Sequence, residues 1–495
     1  MAPISLGRQS RGLNVIFAAS EVVPYAKTGG LADVLGGLST TLSRKGLSVF
    51  VFLPLYTGID PQGSLLRPVG KRISVPISRR KEDGELFVHE SEGVSYYFLK
   101  KDRYFARPGI YGTSEGDYPD NAERFLFFSR GVLEAIKILG IQPDIFHCHD
   151  WHTGLIPLYL KTSYSNDFQN APSLFTIHNL GYQGIFQREA WHLFNLSEDY
   201  LSDQALQFDG RINFLKGGIL YADVLSTVSP KYAEEIQTTA YGNRLEPFLI
   251  RRRRDLFGIL NGLDTKEWNP ANDPYIPFQY DAKRLSGKER CKASLQEEFA
   301  LPIRGGTPLL AMITRLAGQK GIDLATAAIE NMMKWNIQLV ILGSGEKKYE
   351  TVLKSLAERY PNQMAVKIAY DHSLAHRIEA GADIFLMPSQ YEPCGLNQMM
   401  SLRYGTVPVV RATGGLDDTI TQFNPGTLRG NGFKFKAYTP TAFLRQIRKA
   451  LSLYPERKKW DALIRNGMNV DYSWETAAER YINLYRSVIN KRGRE

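Results

Sequence analysis

Cysteine is scarce in this chain, which has three cysteines among its 495 residues. Cys148, Cys291 and Cys394 cannot all be paired with one another, and none of them belongs to a CxxC motif. A disulfide framework and a structural zinc are therefore not expected. We expect a protein of a reducing compartment.

Long apolar runs are also missing from the sequence. No uninterrupted apolar run reaches the roughly 20 residues that a helix needs to cross a bilayer. The first ten residues, MAPISLGRQS, lack the apolar core of a secretory signal. We therefore expect no membrane association and a cytoplasmic location, or a plastid location if a transit peptide has been removed.

Positive charge is in excess, with a formal net charge of +10, but it is not concentrated. The densest basic run is Arg251–Arg254, and a run of four is typical of a solvated helix end. A nucleic-acid partner is not expected, because its binding needs a basic patch or stripe. The same excess would attract a small anionic substrate.

Both common phosphate-binding fingerprints, GxGxxG and GxxxxGK[ST], are absent near the N-terminus, although the pattern of elements there is that of a nucleotide fold. A buried strand is predicted over Leu13–Ala19, a helix over Ala32–Lys45 and a second strand over Val49–Pro54. This is a βαβ unit. The loop Lys27–Leu31 places two glycines before the helix, where the backbone can approach a ligand closely.

The second half of the chain begins a similar arrangement. The apolar runs Pro308–Thr314, Ala382–Met387 and Val407–Val410 predict parallel strands. Glu392 follows the second of them, and a further Gly-Gly-Leu loop, Thr413–Thr419, follows the third. Ligands of open α/β sheets bind beyond the carboxyl ends of such strands. The two halves predict two nucleotide-fold domains, with a Pro/Asn-rich hinge near 258–275.

Other elements complete this prediction. Strands are predicted at 75–77 and 94–99, as an antiparallel part of the N-terminal domain, and at 174–180, 224–228, 338–342 and 366–370. Helices are predicted at 121–139, 214–221, 440–455 and 474–490.

A histidine cluster ends the strand that begins at Ile145. His147, His149, Asp150 and His152 nearly match the HxHxDH arrangement of binuclear hydrolases, but the aspartate comes one position early. We therefore prefer a sugar- or phosphate-binding edge to a metal site. His178 ends the next strand along the chain, and either a core histidine or a ligand-binding one fits this position.

Seven stretches, in order along nearly the whole chain, resemble the bacterial glycogen synthases and plant starch synthases of glycosyltransferase family 5. They are KTGGLADV (27–34), HDWHTGL (149–155), TIHNLGYQG (176–184), ILNGLDTKEWNP (259–270), TRLAGQKGIDL (314–324), EPCGLNQ (392–398) and TGGLDDT (413–419).

The resemblance implies an α/β protein of the GT-B fold, which has two Rossmann-like domains with the active site in an interdomain cleft. The N-terminal acceptor-side domain would span residues 1–258, and the C-terminal nucleotide-sugar domain residues 259–473. A final helix, 474–495, would return to the N-terminal domain.

The resemblance also implies the reaction, which is transfer of glucose from ADP-glucose to the non-reducing end of an α-1,4-glucan with retention of configuration. The acceptor would be glycogen, starch or a maltooligosaccharide, and no cofactor or metal is expected. The motifs leave open the nucleotide base, the natural product and the oligomeric state. A UDP-glucose synthase, a sucrose-type transferase and a non-catalytic glucan-binding protein remain alternatives.

The site residues follow by position in the family's motifs. The catalytic group would comprise Glu392, His178, Arg315, Lys320 and Asp150. Substrate would be bound by Lys27, Gly29, Gly30, Tyr111, Trp151, Asn179, Asn261, Tyr370, Cys394, Gly395, Leu396, Thr413, Gly414 and Gly415. Of these, Tyr370 is the candidate for stacking on adenine, and a strand-end core tyrosine is its alternative.

Overall fold

The chain divides into two units. The computed structural model describes residues 12–60 and 62–492, so the first ten residues discussed above lie outside the described part. Unit 1 contains residues 1–228, 233–262 and 474–495. Unit 2 contains residues 229–232 and 263–473.

Unit 1 is mixed α/β. Its strands are β1 Asn14–Ala18, β2 Ser48–Pro54, β3 Arg67–Ile77, β4 Arg80–Ser91, β5 Val94–Lys100, β6 Gly112–Thr113, β7 Gly116–Asp117, β8 Ile145–His149, β9 Ser173–Ile177, β10 Ile185–Phe186, β11 Gln207–Phe208, β12 Arg211–Asn213, β13 Val224–Thr227 and β14 Leu256–Gly258. Its helices are α1 Gly30–Arg44, α2 Asp102–Phe105, α3 Asn121–Leu139, α4 Leu155–Lys161, α5 Phe214–Tyr221 and α7 Glu246–Arg251, and α6 Pro230–Glu235 begins among the unit 2 residues.

A nine-stranded sheet forms the centre of unit 1, in the order β14-β13-β9-β8-β1-β2-β5-β4-β3. The strands from β14 to β5 are parallel. Every residue of β1 is buried, as expected for a parallel strand covered on both faces. The predicted βαβ opening is confirmed, because α1 connects the parallel strands β1 and β2.

The antiparallel prediction for 94–99 is only half right. Strand β5 pairs in parallel with β2 on one side and antiparallel with β4 on the other. The long hairpin of β3 and β4 therefore extends the edge of the parallel sheet. Charged residues at partly exposed positions of this hairpin hide the apolar alternation, which explains why β4 was not predicted.

Unit 2 is built on one parallel sheet, in the order β17-β16-β15-β18-β19-β20. Its strands are β15 Leu309–Ile313, β16 Gln338–Gly343, β17 Met364–Ile368, β18 Ile384–Met387, β19 Val407–Arg411 and β20 Phe433–Phe435. Its helices are α8 Ser286–Glu298, α9 Ile322–Met332, α10 Lys347–Arg359, α11 His372–Gly381, α12 Asn397–Arg403, α13 Gly414–Thr419, α14 Pro440–Leu453 and α15 Arg457–Met468.

The last helix, α16 (Trp474–Arg492), belongs to unit 1 and packs against α1. Trp474 lies so close to Gly37 that a Cβ at that glycine would be 2.0 Å from the indole nitrogen. Glu475 and Glu479 pair with Arg44 and Lys45 at 3.0 and 2.9 Å. The apolar contact fixes the helix, since the two ion pairs are largely exposed.

Unit 1 continues past the boundary predicted at residue 258. The amide of Ile259 donates to the carbonyl of Thr227 at 2.8 Å, which extends the pairing of β13 and β14. Gly262 then packs on the backbone of Trp474, and unit 2 begins at Leu263.

Within the part of the chain that the structure describes, no helix is both long and apolar enough to span a membrane.

Trp474→Ala should destabilise unit 1 by about 3–5 kcal/mol, because the indole is 5% exposed and leaves a cavity beside Gly37. Its neighbour provides the control. Glu475→Ala removes only an exposed ion pair and should cost less than about 1 kcal/mol. Urea unfolding followed by far-ultraviolet circular dichroism measures both, and equal losses would show that α16 is not fixed by its tryptophan.

Candidate active site

Glu392 lies in the loop that follows β18 in unit 2, and its carboxylate is almost fully buried. Lys320 Nζ donates to both carboxylate oxygens, at 2.9 and 2.6 Å. Ser389 Oγ donates to Oε2 at 3.1 Å. A buried carboxylate needs such partners, because removal from water disfavours its charge. The structure therefore brings together two of the predicted catalytic residues.

Arg315 and Lys320 lie on one loop, which leaves β15 and forms a short 3-10 helix at Gly318–Lys320. Arg315 is exposed, and its Nη2 donates to Gln319 Oε1 at 3.3 Å. The carbonyl of Gln319 accepts from the amide of Gln390 at 2.8 Å. The basic loop is thus joined directly to the loop of Glu392.

Gly414 and Gly415, which are predicted to bind substrate, make close backbone contacts inside unit 2. Gly414 has φ +45°, and a Cβ there would lie 2.0 Å from the carbonyl oxygen of Glu392. A Cβ at Gly415 would lie 2.1 Å from the carbonyl oxygen of Cys394. Gly414, Gly415 and the fully buried Thr413 therefore form a loop, residues 413–415, that packs directly on the loop of Glu392.

Cys394, Gly395 and Leu396 connect Glu392 to α12. Gln398 Nε2 donates to the carbonyl oxygens of Cys394 and Gly395, both at 3.0 Å, and fixes the path of the turn. Gly395 has φ +73°, a left-handed conformation that favours glycine.

Tyr370 lies just beyond β17 with 80% of its surface exposed. The alternative of a core tyrosine is therefore wrong. An exposed ring at the carboxyl edge of a parallel sheet is available for stacking.

In unit 1, Asp150 holds the ends of β8 and β9 together. Its Oδ1 accepts from the amide of His178 at 2.7 Å, and its own amide donates to Thr176 at 3.0 Å. The residue has φ +55°. Burial raises the pKa of Asp150 to about 7, although hydrogen bonds from the amides of His178 and Asn179 oppose this.

His178 is neutral over the whole physiological range, because burial lowers its pKa to about 3. Its Nε2 lies 3.0 Å from His149 Nδ1. Asn179, the next residue, accepts from the amide of Gly181 through Oδ1 at 2.9 Å and so shapes the loop.

The histidine cluster does not present a common ligand point. His147 is fully buried and bonded to Thr176 Oγ1 at 2.6 Å and to Tyr485 OH at 2.8 Å. His152 stacks on Tyr111, with ring centroids 4.7 Å apart. Among the described residues, these side chains do not converge as metal ligands do.

The loop Lys27–Gly30 is held by a residue that the sequence analysis missed. Glu21, which is 3% exposed, accepts from the amide and hydroxyl of Thr28 and from the amide of Gly29. Lys27 pairs with Asp33 at 2.7 Å and remains exposed. A Cβ on Gly29 or Gly30 would meet no heavy atom of the described chain within 4 Å, so this loop has an open face.

Tyr111 joins the same network. Its hydroxyl donates to Glu21 and lies 2.8 Å from Ser20 Oγ. Burial, and then the charge of Glu21, raises the pKa of Tyr111 well above its ordinary value. An acidic residue three positions after the end of the buried strand β1 was the available signal for Glu21.

Trp151 and Asn261 are predicted binding residues that lie mostly below the surface. Trp151 is 8% exposed and packs on Phe125 and on Gly184, where a Cβ would lie 2.4 Å from the indole. Asn261 is 6% exposed, and its Oδ1 has no hydrogen-bond partner among the described residues.

The fold and the charged strand-end loops define a GT-B glycosyltransferase. Residues 14–251 match the family model described as the starch synthase catalytic domain, and residues 294–467 match that of glycosyl transferases group 1. The sucrose-phosphate synthase of Thermosynechococcus elongatus has the same fold, with a TM-score of 0.62 at 18% identity over 97% of this chain and all of that one.

Closer relatives narrow the class. The chain is 48% identical to a glycogen synthase of Koribacter versatilis, over 96% of this chain and 98% of the relative, and 43% identical to one of Geobacillus thermodenitrificans, over 97% and 98%. The catalytic domain of Arabidopsis thaliana starch synthase IV, bound to ADP and acarbose, superimposes with a TM-score of 0.89 at 33% identity, over 97% of this chain and all of that one. The chain belongs to the glycogen and starch synthase family, as its seven motifs predicted, and is an enzyme of that family.

Asp150 should give the stability of unit 1 a distinctive pH dependence. Its folded pKa of about 7 exceeds the ordinary value of 3.8, so the folded chain binds this proton more tightly than the unfolded chain. The free energy of unfolding of the wild type minus that of Asp150→Asn should fall as pH rises from about 4 to 7, by at most about 1.4 kcal/mol per pH unit.

Asp60→Asn is the control with the opposite sign. Hydrogen bonds from backbone amides, chiefly that of Leu66, lower the pKa of the exposed Asp60. The free energy of unfolding of the wild type minus that of Asp60→Asn should stay level or rise as the pH rises. Urea unfolding across this range measures both, and parallel curves for the two variants would contradict the buried, proton-binding state of Asp150.

Proposed function

We propose that the enzyme transfers glucose from ADP-glucose to the non-reducing end of an α-1,4-glucan, forming an α-1,4 linkage with retention of configuration. The observation that carries this proposal is the buried Lys320–Glu392 pair beside the exposed Arg315, in a chain of the glycogen synthase family. The starch synthase IV domain that superimposes on this chain binds ADP and acarbose, a nucleotide and an oligosaccharide analogue.

The leaving diphosphate is the first demand on the site. When the bond between the anomeric carbon and the diphosphate oxygen breaks, ADP leaves with the electron pair and needs positive charge around it. Arg315 and Lys320 would supply that charge in unit 2, where their loop is joined to the loop of Glu392. Guanidinium and ammonium groups both bind phosphate oxygens through charge-assisted hydrogen bonds.

Lys320 can serve the carboxylate and the diphosphate together. An ammonium has three N–H donors. Lys320 donates to the two carboxylate oxygens of Glu392, which leaves one N–H to bind a phosphate oxygen. Glu392 would in turn accept from hydroxyls of the transferred glucose and stabilise the positive charge that develops at the anomeric carbon. The backbone of Cys394, Gly395, Leu396 and the 413–415 loop would line the sugar, because it packs directly on the loop of Glu392.

His178 would act as a hydrogen-bonding group rather than as a cation. Its low pKa keeps the ring neutral, so it adds no charge that would compete with the basic loops. Asp150 holds the amide of His178 and so positions this segment. Asn179, Trp151, Tyr111 and Asn261 belong to the same unit, and we assign them to sugar binding. Tyr370 would stack on the adenine.

The donor assay tests this function directly. The enzyme is incubated with glycogen and either ADP-glucose or UDP-glucose, and glucan growth is measured together with release of the nucleoside diphosphate. ADP-glucose should be the better donor. If glucose were transferred from UDP-glucose and not from ADP-glucose, the proposed donor would be wrong. If glucose were transferred from neither donor, the protein would be a glucan-binding protein rather than an enzyme.

Glu392→Gln should lower turnover by about 100-fold or more while ADP affinity changes only a few-fold. The variant keeps the size of the side chain but removes the charge that stabilises the transition state, whereas the basic groups that bind the diphosphate remain. Steady-state kinetics and ADP calorimetry separate the two effects. Glu358→Gln, at an exposed position of α10, is the control, and turnover of the folded Glu392→Gln within about tenfold of the wild type would refute the role.

Turnover should survive removal of divalent metal. Arg315 and Lys320 would supply the positive charge that magnesium often provides for a leaving diphosphate. The measurement is an assay at 25 °C after EDTA treatment and desalting, with the metal content determined. Loss of activity that Mg²⁺ restores in the folded enzyme would contradict the cationic mechanism.

A further inference from the structure

Two histidines on helix α11 and a glutamate far away in the chain bring ligand atoms together in unit 2. They are His372, His376 and Glu267, and one ligand atom from each lies within 4.8 Å of the others. His372 and His376 are four residues apart and therefore lie on the same face of the helix. Histidines at this helical spacing are a common pair of zinc ligands.

His376 has one ring nitrogen, Nε2, that is free to bind a metal ion. Its side chain is fully buried, and Nδ1 lies 2.8 Å from Asp273 Oδ2, which is also fully buried. The carboxylate therefore holds the proton on Nδ1, which leaves the lone pair of Nε2 directed away from it. Nε2 is itself buried and has no hydrogen-bond partner among the described residues. An orphaned buried nitrogen is costly unless it binds something.

The carboxylate behind His376 is the arrangement found at protein zinc sites. Metal-binding histidines usually donate their other ring nitrogen to a carboxylate, which fixes the tautomer and the ring orientation. Asp273 also accepts a hydrogen bond from the hydroxyl of Tyr404, which fixes the carboxylate behind the ring. Trp268 stacks on His376 with ring centroids 3.8 Å apart and further restricts the ring.

The outer two ligands already have nearly the required separation. His372 Nε2 lies 3.2 Å from Glu267 Oε1. Two ligands of a tetrahedral ion with bonds of about 2.1 Å are roughly 3.4 Å apart. Both side chains are partly exposed, at 39% and 44%, so an ion can reach the site from solvent while His376 closes it from within.

We propose that unit 2 binds one zinc ion through His376 Nε2, His372 Nε2 and a carboxylate oxygen of Glu267, with water as the fourth ligand. Two imidazoles and one carboxylate suit Zn²⁺ and exclude Mg²⁺ and Ca²⁺ as preferred ions. The ion joins the segment that contains Glu267, Trp268 and Asp273 to α11, so its role is to stabilise unit 2. The proposal does not depend on the catalytic function.

Metal binding is measured on the full-length enzyme after stripping with a chelator and desalting. Titration with Co²⁺, a spectroscopic substitute for Zn²⁺, should give visible d–d absorption that saturates at one equivalent, and Zn²⁺ should displace it. His372→Ala removes the partly exposed ligand and should weaken binding by about 100-fold or more, since losing even an outer partner of a metal site costs 10–100-fold. His192→Ala, which removes an exposed histidine of unit 1, should leave binding unchanged.

Thermal unfolding gives the second measurement. Zn²⁺ should raise the Tm of the wild type and of His192→Ala, because an ion that binds only the folded state stabilises it. It should not raise that of His372→Ala, and Glu267→Gln should lie between. Three results would each overturn the site: the apo protein binds no cobalt, His372→Ala binds cobalt as well as the wild type, or His192→Ala loses as much cobalt affinity as His372→Ala. His376 would then be a core histidine with a hydrogen bond to water.

Discussion

The ion pair between Lys320 and Glu392 is the constraint on which the arrangement of unit 2 depends. A buried carboxylate without a partner would be strongly destabilising, so the loops after β15 and β18 must meet. The 413–415 loop must also pack closely on Glu392, and there only glycines fit. The charge that the chemistry requires is therefore the same charge that organises the loops.

Unit 1 meets a different demand at the ends of its strands. Here burial favours the neutral forms, as it lowers the pKa of His178 and raises that of Asp150. Hydrogen bonds to the carboxylate of Glu21 hold the exposed loop that carries Lys27, and the space beside its two glycines is open.

The regular elements could be predicted well because their patterns are local. Helices α3 and α5 have the predicted bounds, because their apolar residues recur with helical period. The left-handed Gly140 ends α3, and the extended Ala222 ends α5. Strand β4 was missed because charged residues at partly exposed positions hide its apolar alternation. Strand β4 pairs antiparallel with β5, and a pattern within β4 alone cannot predict the direction of that pairing.

The site was predictable only where a motif contains it. Glu392 and Lys320 each lie in a recognisable loop, but their contact joins two loops that are separate in sequence. Glu21 and the zinc ligand Glu267 are single acidic residues, and only the fold shows which groups they face. The HSLAH spacing of His372 and His376 was visible, but the burial of Nε2 that gives it meaning was not.

The central claim is that Lys320 binds the donor diphosphate while it neutralises Glu392. The affinity of ADP for Lys320→Ala, measured by calorimetry on the folded variant, tests this most directly. Loss of one charge-assisted contact should weaken ADP binding by about 10–100-fold, while Lys334→Ala, an exposed lysine of the same unit, should bind like the wild type. Wild-type affinity in Lys320→Ala would show that this lysine serves Glu392 alone and would contradict the account.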